Sequence, residues 1–283
     1  MTHQTALING IEIPRLIYGT AWKKEQTQRL TELAISQGFC GIDTANQRRH
    51  YHESAVGQAI RTSIARGMVT RENLFLQTKF TFRRGQDRRL PYDPSASIPD
   101  QVDQSFAGSL EHLGVENVDC FLLHGPETAN GLTPGDRAVW RAIEAIHDRG
   151  LTRLIGVSNV SLEQLKLFCR HAHIQPHVVQ NRCYAVQGWD GPVREFCQTR
   201  GMVYQGFSLL TANRAVLGSS LISRIAKRHA RTAAQITFRF ALELGMTALT
   251  GTTNVDHMQA DLDVYDFSLD TDEIDRIRCL TGL

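Results

Sequence analysis

The chain has 283 residues, 42% hydrophobic and 21% charged, with a formal net charge of +2 and no low-complexity block, which is enough to bury a large core. Both charge signs are interspersed, so no polycation is offered to nucleic acid, and no apolar run approaches the roughly 18 residues of a membrane span. The opening MTHQTALINGIEIPRL lacks the segments of a secretory signal, and six scattered cysteines (Cys40, Cys120, Cys169, Cys183, Cys197, Cys279) form no C-x-x-C pair. The expectation is a cytoplasmic protein with reduced thiols, no disulfide framework and no bound metal.

In chain order, ALINGIEIP first alternates around Asn-Gly, a hairpin signal. Short apolar runs then alternate with amphipathic stretches. RLIYGT leads to EQTQRLTELAISQG, GFCGID to ESAVGQAIRTSIARG, and NLFLQTK, across a long loop over 80–98, to DQVDQSFAGSLEHLG. VDCFLLHG leads to DRAVWRAIEAIHDRG, LTRLIGVSN to SLEQLKLFCRHAH, and PHVVQN to GPVREFCQTRG. MVYQGFS precedes the long SSLISRIAKRHARTAAQITFRFALELG, and MTALTG precedes DHMQADLDVYD. The apolar runs read as strands buried on both faces; the others repeat apolar residues every three or four positions and often close on Gly. Eight strand–helix repeats predict one domain over 1–283, a (β/α)8 TIM barrel with the N-terminal hairpin at its bottom. An open doubly wound sheet is the alternative.

Barrel chemistry sits at the C-terminal ends of the strands. Asp43, Lys79, His124, Asn159, Gln180 and Phe207 all fall there, and Tyr51 follows Asp43 in the same loop. A phenol is a neutral acid at pH 7, an ammonium stabilises the phenolate it leaves, a carboxylate holds that ammonium charged, and an imidazole can orient a carbonyl. Each residue also has a plainer reading. Asp43 can cap a turn in DTAN, Ser158-Asn159 can cap a helix, and His124 can be a satisfied core histidine. Lys79 is harder to set aside, because lysine is seldom buried unpaired. The run RRGQDRR, Arg83 to Arg89, reads either as a solvated loop or as a trap for phosphate or acidic substrates. The pairs His50/His52 and His171/His173 lack a third ligand and read as non-metal sites.

In order and spacing the chain resembles the aldo-keto reductase family, through the NG hairpin, YGTAW, IDTA followed by Tyr and Glu, LFLQTK, VDCFLLHGP, DRGLTRLIGVSN, VVQN and GFSLL. The resemblance implies an NAD(P)H-dependent oxidoreductase that reduces aldehydes or ketones, with Asp43, Tyr51, Lys79 and His124 as its catalytic tetrad. It implies cofactor contacts from Gly19, Thr20, Ser158, Asn159, Gln180, Phe207, Ser208, Leu210, Gly251, Thr252, Thr253, His257 and Asp261. Trp22, Phe80, Arg83, Tyr92 and Tyr184 are the expected substrate-pocket walls. The expected partner is a small carbonyl compound, with no nucleic acid or membrane, and the expected state is a monomer or weak homo-oligomer.

Two departures stand out. The family's Tyr follows the Asp by five residues and precedes a Glu by three, whereas here NQRRH intervenes, Tyr51 lies eight after Asp43 and two before Glu53, and His50 occupies the position counted back from Glu53. Tyr51 is the expected acid, with His50 the alternative. The Lys and Arg that pair with a 2′-phosphate are replaced by Gly251 and His257, so NADPH is ranked first with NADH possible. The chain stops soon after DTDEIDRIRC, which predicts a substrate pocket open on that side. Two other functions fit parts of the pattern: a cofactor-binding, redox-sensing regulatory subunit with vestigial turnover, and a Schiff-base lyase using Lys79.

Overall fold

Asn9 and Gly10 both take positive φ, 50° and 75°, the conformation that a two-residue hairpin turn demands. They join β1 (Thr5–Ile8) to β2 (Ile11–Pro14) as an antiparallel pair in the computed structural model, which describes residues 4–280. Beyond the hairpin, Arg15 donates to the carbonyls of Leu242 (2.7 Å) and Met246 (3.4 Å), just ahead of the last strand.

The barrel strands are β3 (Leu16–Gly19), β4 (Gly41–Asp43), β5 (Phe75–Phe80), β6 (Val118–Leu123), β7 (Thr152–Ser158), β8 (Val178–Arg182), β9 (Val203–Phe207) and β10 (Thr247–Thr250). They close in chain order, with β10 beside β3, so the fold is the (β/α)8 barrel that eight repeats predict. The helices are α1 (Thr27–Gln37), α2 (Glu53–Ala65), α3 (Ile98–Leu113), α4 (Pro134–Asp148), α5 (Leu162–His171), α6 (Gly191–Thr199), α7 (Arg214–Leu217), α8 (Ser220–His229), α9 (Ala233–Glu243), α10 (Val255–Leu262) and α11 (Thr271–Arg278). No helix among the described residues is long and apolar enough to cross a membrane.

One expected element is corrected. The long amphipathic stretch from 219 to 245 is two helices, because Ala230 turns left-handed (φ 52°) after α8 and Thr232 opens α9 with a capping box to Gln235. That box satisfies two otherwise orphaned backbone donors, which makes a break there stable. The short α7 also has no counterpart in the apolar periodicity.

Packing divides the chain into two compact units, one Tyr18–Val179 and the other comprising the chain up to Ile17 with everything from Gln180 onward. In the first, the parallel register sets Asp43 against Gln77 and Lys79 against Leu122. Around these strands α2 closes on α3 so tightly that a Cβ on Gly57 would lie 2.0 Å from the His112 carbonyl oxygen, which leaves room only for glycine. Buried Glu53 ties the same layer together, bonded to the Thr78 hydroxyl and to His112 Nδ1 (3.0 Å). In the second unit Trp189 packs edge-on against Phe240, and Glu273 of α11 holds Arg228 and His229 of α8.

Candidate active site

Asp43 ends β4, Lys79 is the penultimate residue of β5, and His124 follows β6. The ladder continues past the strands, Thr44 N–H to Gln77 O (2.9 Å) and His124 N–H to Phe80 O (2.8 Å), so these neighbouring side chains are held by backbone. Lys79 is fully buried. Its ammonium donates to Asp43 Oδ1 and Oδ2, both 2.6 Å, and to Thr44 O at 2.8 Å, which accounts for all three N–H bonds. This is the compensation that a buried ammonium requires.

The insertion NQRRH coils into one turn. Tyr51 N–H reaches Gln47 O (3.0 Å) and His50 N–H the same oxygen (3.3 Å), so the extra residues are taken up locally and Tyr51 is returned toward β5. Its ring centroid lies 5.3 Å from Lys79 Nζ and 5.9 Å from the His124 ring, which it meets edge-on. Burial first, then the charge of Asp43, pushes the Tyr51 phenol well above its usual range, so it is protonated at ordinary pH. His50 goes elsewhere: its ring lies 4.0 Å from that of Trp22, and the Trp22 backbone N–H donates to His50 O (2.7 Å). Trp22 itself is 66% exposed.

His124 Nδ1 is 2.7 Å from the Thr81 hydroxyl. With that hydroxyl as donor, the ring proton lies on Nε2 and is available to a ligand oxygen. Burial, then Lys79, then His50 lower its pKa from 6.5 to about 3, so the imidazole is neutral at ordinary pH. A folded pKa below the unfolded value means a contribution to stability that is complete above about pH 6.5 and is lost as pH falls toward about 3. Melting temperature followed against pH should therefore decline more steeply below pH 6.5 in the wild type than in His124→Gln, and parallel curves would contradict this assignment.

Gln77 was not singled out by the sequence, yet it is fully buried and donates to Asp43 Oδ1 at 2.6 Å. The signal was available: Gln77 and Lys79 are two apart on β5 and so share a face. Thr81, which holds His124, is the second such residue. Gln77→Leu should lower stability by about 1.5–3 kcal/mol, the worth of a hydrogen bond to a charged group, and reduce kcat by loosening Asp43. Urea unfolding and turnover unchanged from wild type would show Gln77 to be mere packing.

Phe80 lies on the face of β5 opposite Lys79 and is fully buried against Phe82 and Tyr92, so it supports the following loop rather than facing solvent. Gly19 ends β3, and Thr20 is buried and bonds its hydroxyl to Asp43 O (2.9 Å). Ser158 ends β7; Asn159 takes φ 55° and donates to His124 O (2.8 Å) and to the Ser158 hydroxyl (3.1 Å). In the other unit Gln180 is buried and donates to Gln205 Oε1 (2.9 Å). Phe207 ends β9 half-buried, followed by Ser208 in the left-handed region (φ 57°) and by half-buried Leu210; Tyr184 is also half-buried. Gly251, Thr253 and His257 are exposed and Thr252 is half-buried, while the Asn254 side-chain oxygen Oδ1 caps α10 by accepting from Asp256 N–H (2.7 Å). Asp261 is buried against the Thr250 hydroxyl (2.6 Å), and burial lifts its pKa to about 6. No cluster of three or more potential metal ligands occurs among the described residues.

At the ends of adjacent strands of a closed barrel stand a buried ammonium–carboxylate pair, a phenol and a neutral imidazole. Residues 15–281 match the Aldo/keto reductase family. The chain is 29% identical to prostaglandin-E(2) 9-reductase of Oryctolagus cuniculus, over 96% of this chain and 89% of that one. It is 28% identical to 7-acetyl-epi-neemfruitin B aldo-keto reductase of Melia azedarach, over 95% and 85%. The crystal structure of an aldo-keto reductase enzyme from a Medee basin deep-sea metagenome library superimposes with a TM-score of 0.84 at 25% identity, covering 97% of this chain and 94% of that one. The chain belongs to the aldo/keto reductase family and is an oxidoreductase.

Proposed function

We propose that this protein reduces aldehydes or ketones to alcohols with NAD(P)H, using Tyr51 as the proton donor. The observation that carries this reading is the Lys79–Asp43 pair, at 2.6 Å and fully desolvated, beside the ring of Tyr51. Tyr51 gives its proton to the carbonyl oxygen as that oxygen becomes an alkoxide, a base strong enough to take a proton even from a phenol of raised pKa. Lys79, whose Nζ lies 5.3 Å from the Tyr51 ring centroid, then stabilises the phenolate, and its three N–H bonds to Asp43 and Thr44 leave the nitrogen committed rather than free as a Schiff-base nucleophile. His124 donates from Nε2 and orients the carbonyl without itself changing charge.

In residue type the donors suit a ring bearing a carboxamide: Ser158 at the end of β7 offers a hydroxyl, and Asn159 just after it and Gln180 midway along β8 each offer a side-chain amide, groups that both give and accept hydrogen bonds. Phe207 supplies an aromatic face, and the loop Gly251 to Thr253 with His257 is assigned to the nucleotide's phosphate or ribose. When bound, the dinucleotide supplies hydride. The absence of Lys and Arg at Gly251 and His257 leaves NADPH ranked only just ahead of NADH. Six cysteines, none in a disulfide, suit the reducing cytoplasm, and we take the working unit to be a single-domain monomer or weak homo-oligomer.

The test is dinucleotide oxidation at 340 nm over a panel of aldehydes and ketones, with the alcohol identified by mass spectrometry and both dinucleotides compared. Multiple turnover is expected. Tight dinucleotide binding with no turnover on the panel would replace this reading with that of a redox-sensing subunit.

A further inference from the structure

We infer that two arginine-bearing loops beside the proposed carbonyl site select substrates that carry an anionic group, a carboxylate or a phosphate, so that this enzyme's preferred substrates are acidic carbonyl compounds. The inference rests on the reductase reading and names its substrate class.

Residues 44–52 carry Arg48 and Arg49, and residues 81–92 carry Arg83, Arg84, Arg88 and Arg89 against one carboxylate, Asp87. Five net positive charges therefore lie on two short segments of a chain whose total is +2, and the rest of the chain is net negative. The segments are bound to each other. Gln47 Nε2 donates to Gly85 O (2.6 Å), Gln86 Nε2 to Asn46 O (2.9 Å), and Arg89 Nη2 to Arg48 O (3.0 Å).

They are also fixed to the two residues that would grip the carbonyl oxygen. Arg48 and Arg49 immediately precede His50 and Tyr51, in the turn that Gln47 closes. On the other loop Thr81 holds His124 Nδ1, the Tyr92 hydroxyl donates to Thr81 O (2.9 Å), and Arg84 Nη2 donates to Pro126 O (2.7 Å). The loop RRGQDRR is thus stapled at both ends to structure around His124, unlike a free solvated tether.

The charges divide into two sets. Arg89 is paired with Asp87, Arg84 is bound to Pro126 O, and the next carboxylate, Asp93, accepts from Ser95 N–H (2.9 Å) and its hydroxyl (2.7 Å). Arg48, Arg49, Arg83 and Arg88 make no ion pair within 4.0 Å among the described residues, although Arg48 shares the field of Asp87 with Arg89. Arg48 is half-buried and the other three are exposed. Guanidiniums whose field is not cancelled by nearby carboxylates attract anions, raise their local concentration and offer forked donors to carboxylate or phosphate.

The experiment compares matched pairs at saturating dinucleotide: benzaldehyde with 4-carboxybenzaldehyde, and glyceraldehyde with glyceraldehyde 3-phosphate. Wild type is expected to favour the anionic member of at least one pair by about tenfold or more in kcat/KM, a preference that shrinks as salt rises. Which pair shows it identifies the anion as carboxylate or phosphate. In the quadruple variant Arg48→Gln, Arg49→Gln, Arg83→Gln, Arg88→Gln the preference should fall to about one while neutral turnover stays within about twofold. Circular dichroism checks folding, and the wild-type salt dependence decides the matter if that variant does not fold. Equal use of both members of both pairs by wild type, or a preference insensitive to salt and to the substitutions, would overturn the inference. So would a quadruple variant changed only in dinucleotide KM. Wild-type turnover of neither class would instead sink the reductase reading itself.

Discussion

Lys79→Met should cost about 3–5 kcal/mol of stability and nearly all activity. The ammonium is fully buried, and its three donors are committed to Asp43 and Thr44. Removing it takes the balancing positive charge from the Asp43 carboxylate, 2% exposed, while the neutral Gln77 amide still donates to it. An uncompensated buried charge is what makes breaking one half of such a pair so damaging, whereas replacing both halves with apolar groups is often nearly neutral. The double variant Lys79→Met, Asp43→Leu should therefore recover most of the stability lost in Lys79→Met, as read from urea unfolding, while remaining inactive. Recovery of activity with stability would show the pair to be structural only; no recovery of stability would show that Asp43 is not the group left stranded.

Tyr51→Phe should do the reverse. It keeps the ring that meets His124 edge-on and lies beside Lys79, and it deletes only the hydroxyl. Unfolding free energy should move by no more than about 0.5–1 kcal/mol, while kcat/KM for carbonyl reduction should fall about 10²–10⁴-fold, the usual worth of a positioned general acid. His50→Gln is the control. It removes a ring that stacks on an exposed Trp22, and it should leave kcat/KM within about tenfold of wild type. If His50→Gln were the crippled variant and Tyr51→Phe the active one, the roles would be exchanged.

What could be read from the chain alone was whatever is local. Continuous apolar runs placed all eight barrel strands, because a strand buried on both faces has few alternatives to such a sequence. Asn9-Gly10 placed the hairpin through backbone conformation, and strand ends placed Asp43, Lys79 and His124. Features that depend on competition between signals were harder. The capping box of Thr232 and Gln235 lay inside an unbroken helical periodicity, and nothing in that periodicity shows that Ala230 can turn left-handed. The unusual spacing before Tyr51 was legible as an anomaly, but its resolution needed the turn closed on Gln47 O. Gln77 and Thr81 act through partners more than thirty residues away in sequence, and the docking of the Arg48 loop onto the Arg83 loop is likewise tertiary. Phe80, read from the chain as a pocket wall, is fully buried on the face of β5 opposite Lys79, a packing against Phe82 and Tyr92 that is likewise tertiary.

The most direct measurement follows the hydrogen itself. An aromatic aldehyde is incubated with protein and with reduced dinucleotide deuterated at the transferable position of its ring, and the alcohol is analysed by mass spectrometry over time. The expected result is one deuterium on the carbinol carbon, delivered by wild type in multiple turnovers and at least about 100-fold more slowly by Tyr51→Phe. Alcohol formed without the label, or labelled alcohol formed equally fast by Tyr51→Phe, would contradict the assignment of Tyr51 beside Lys79 as the proton donor of a carbonyl reductase.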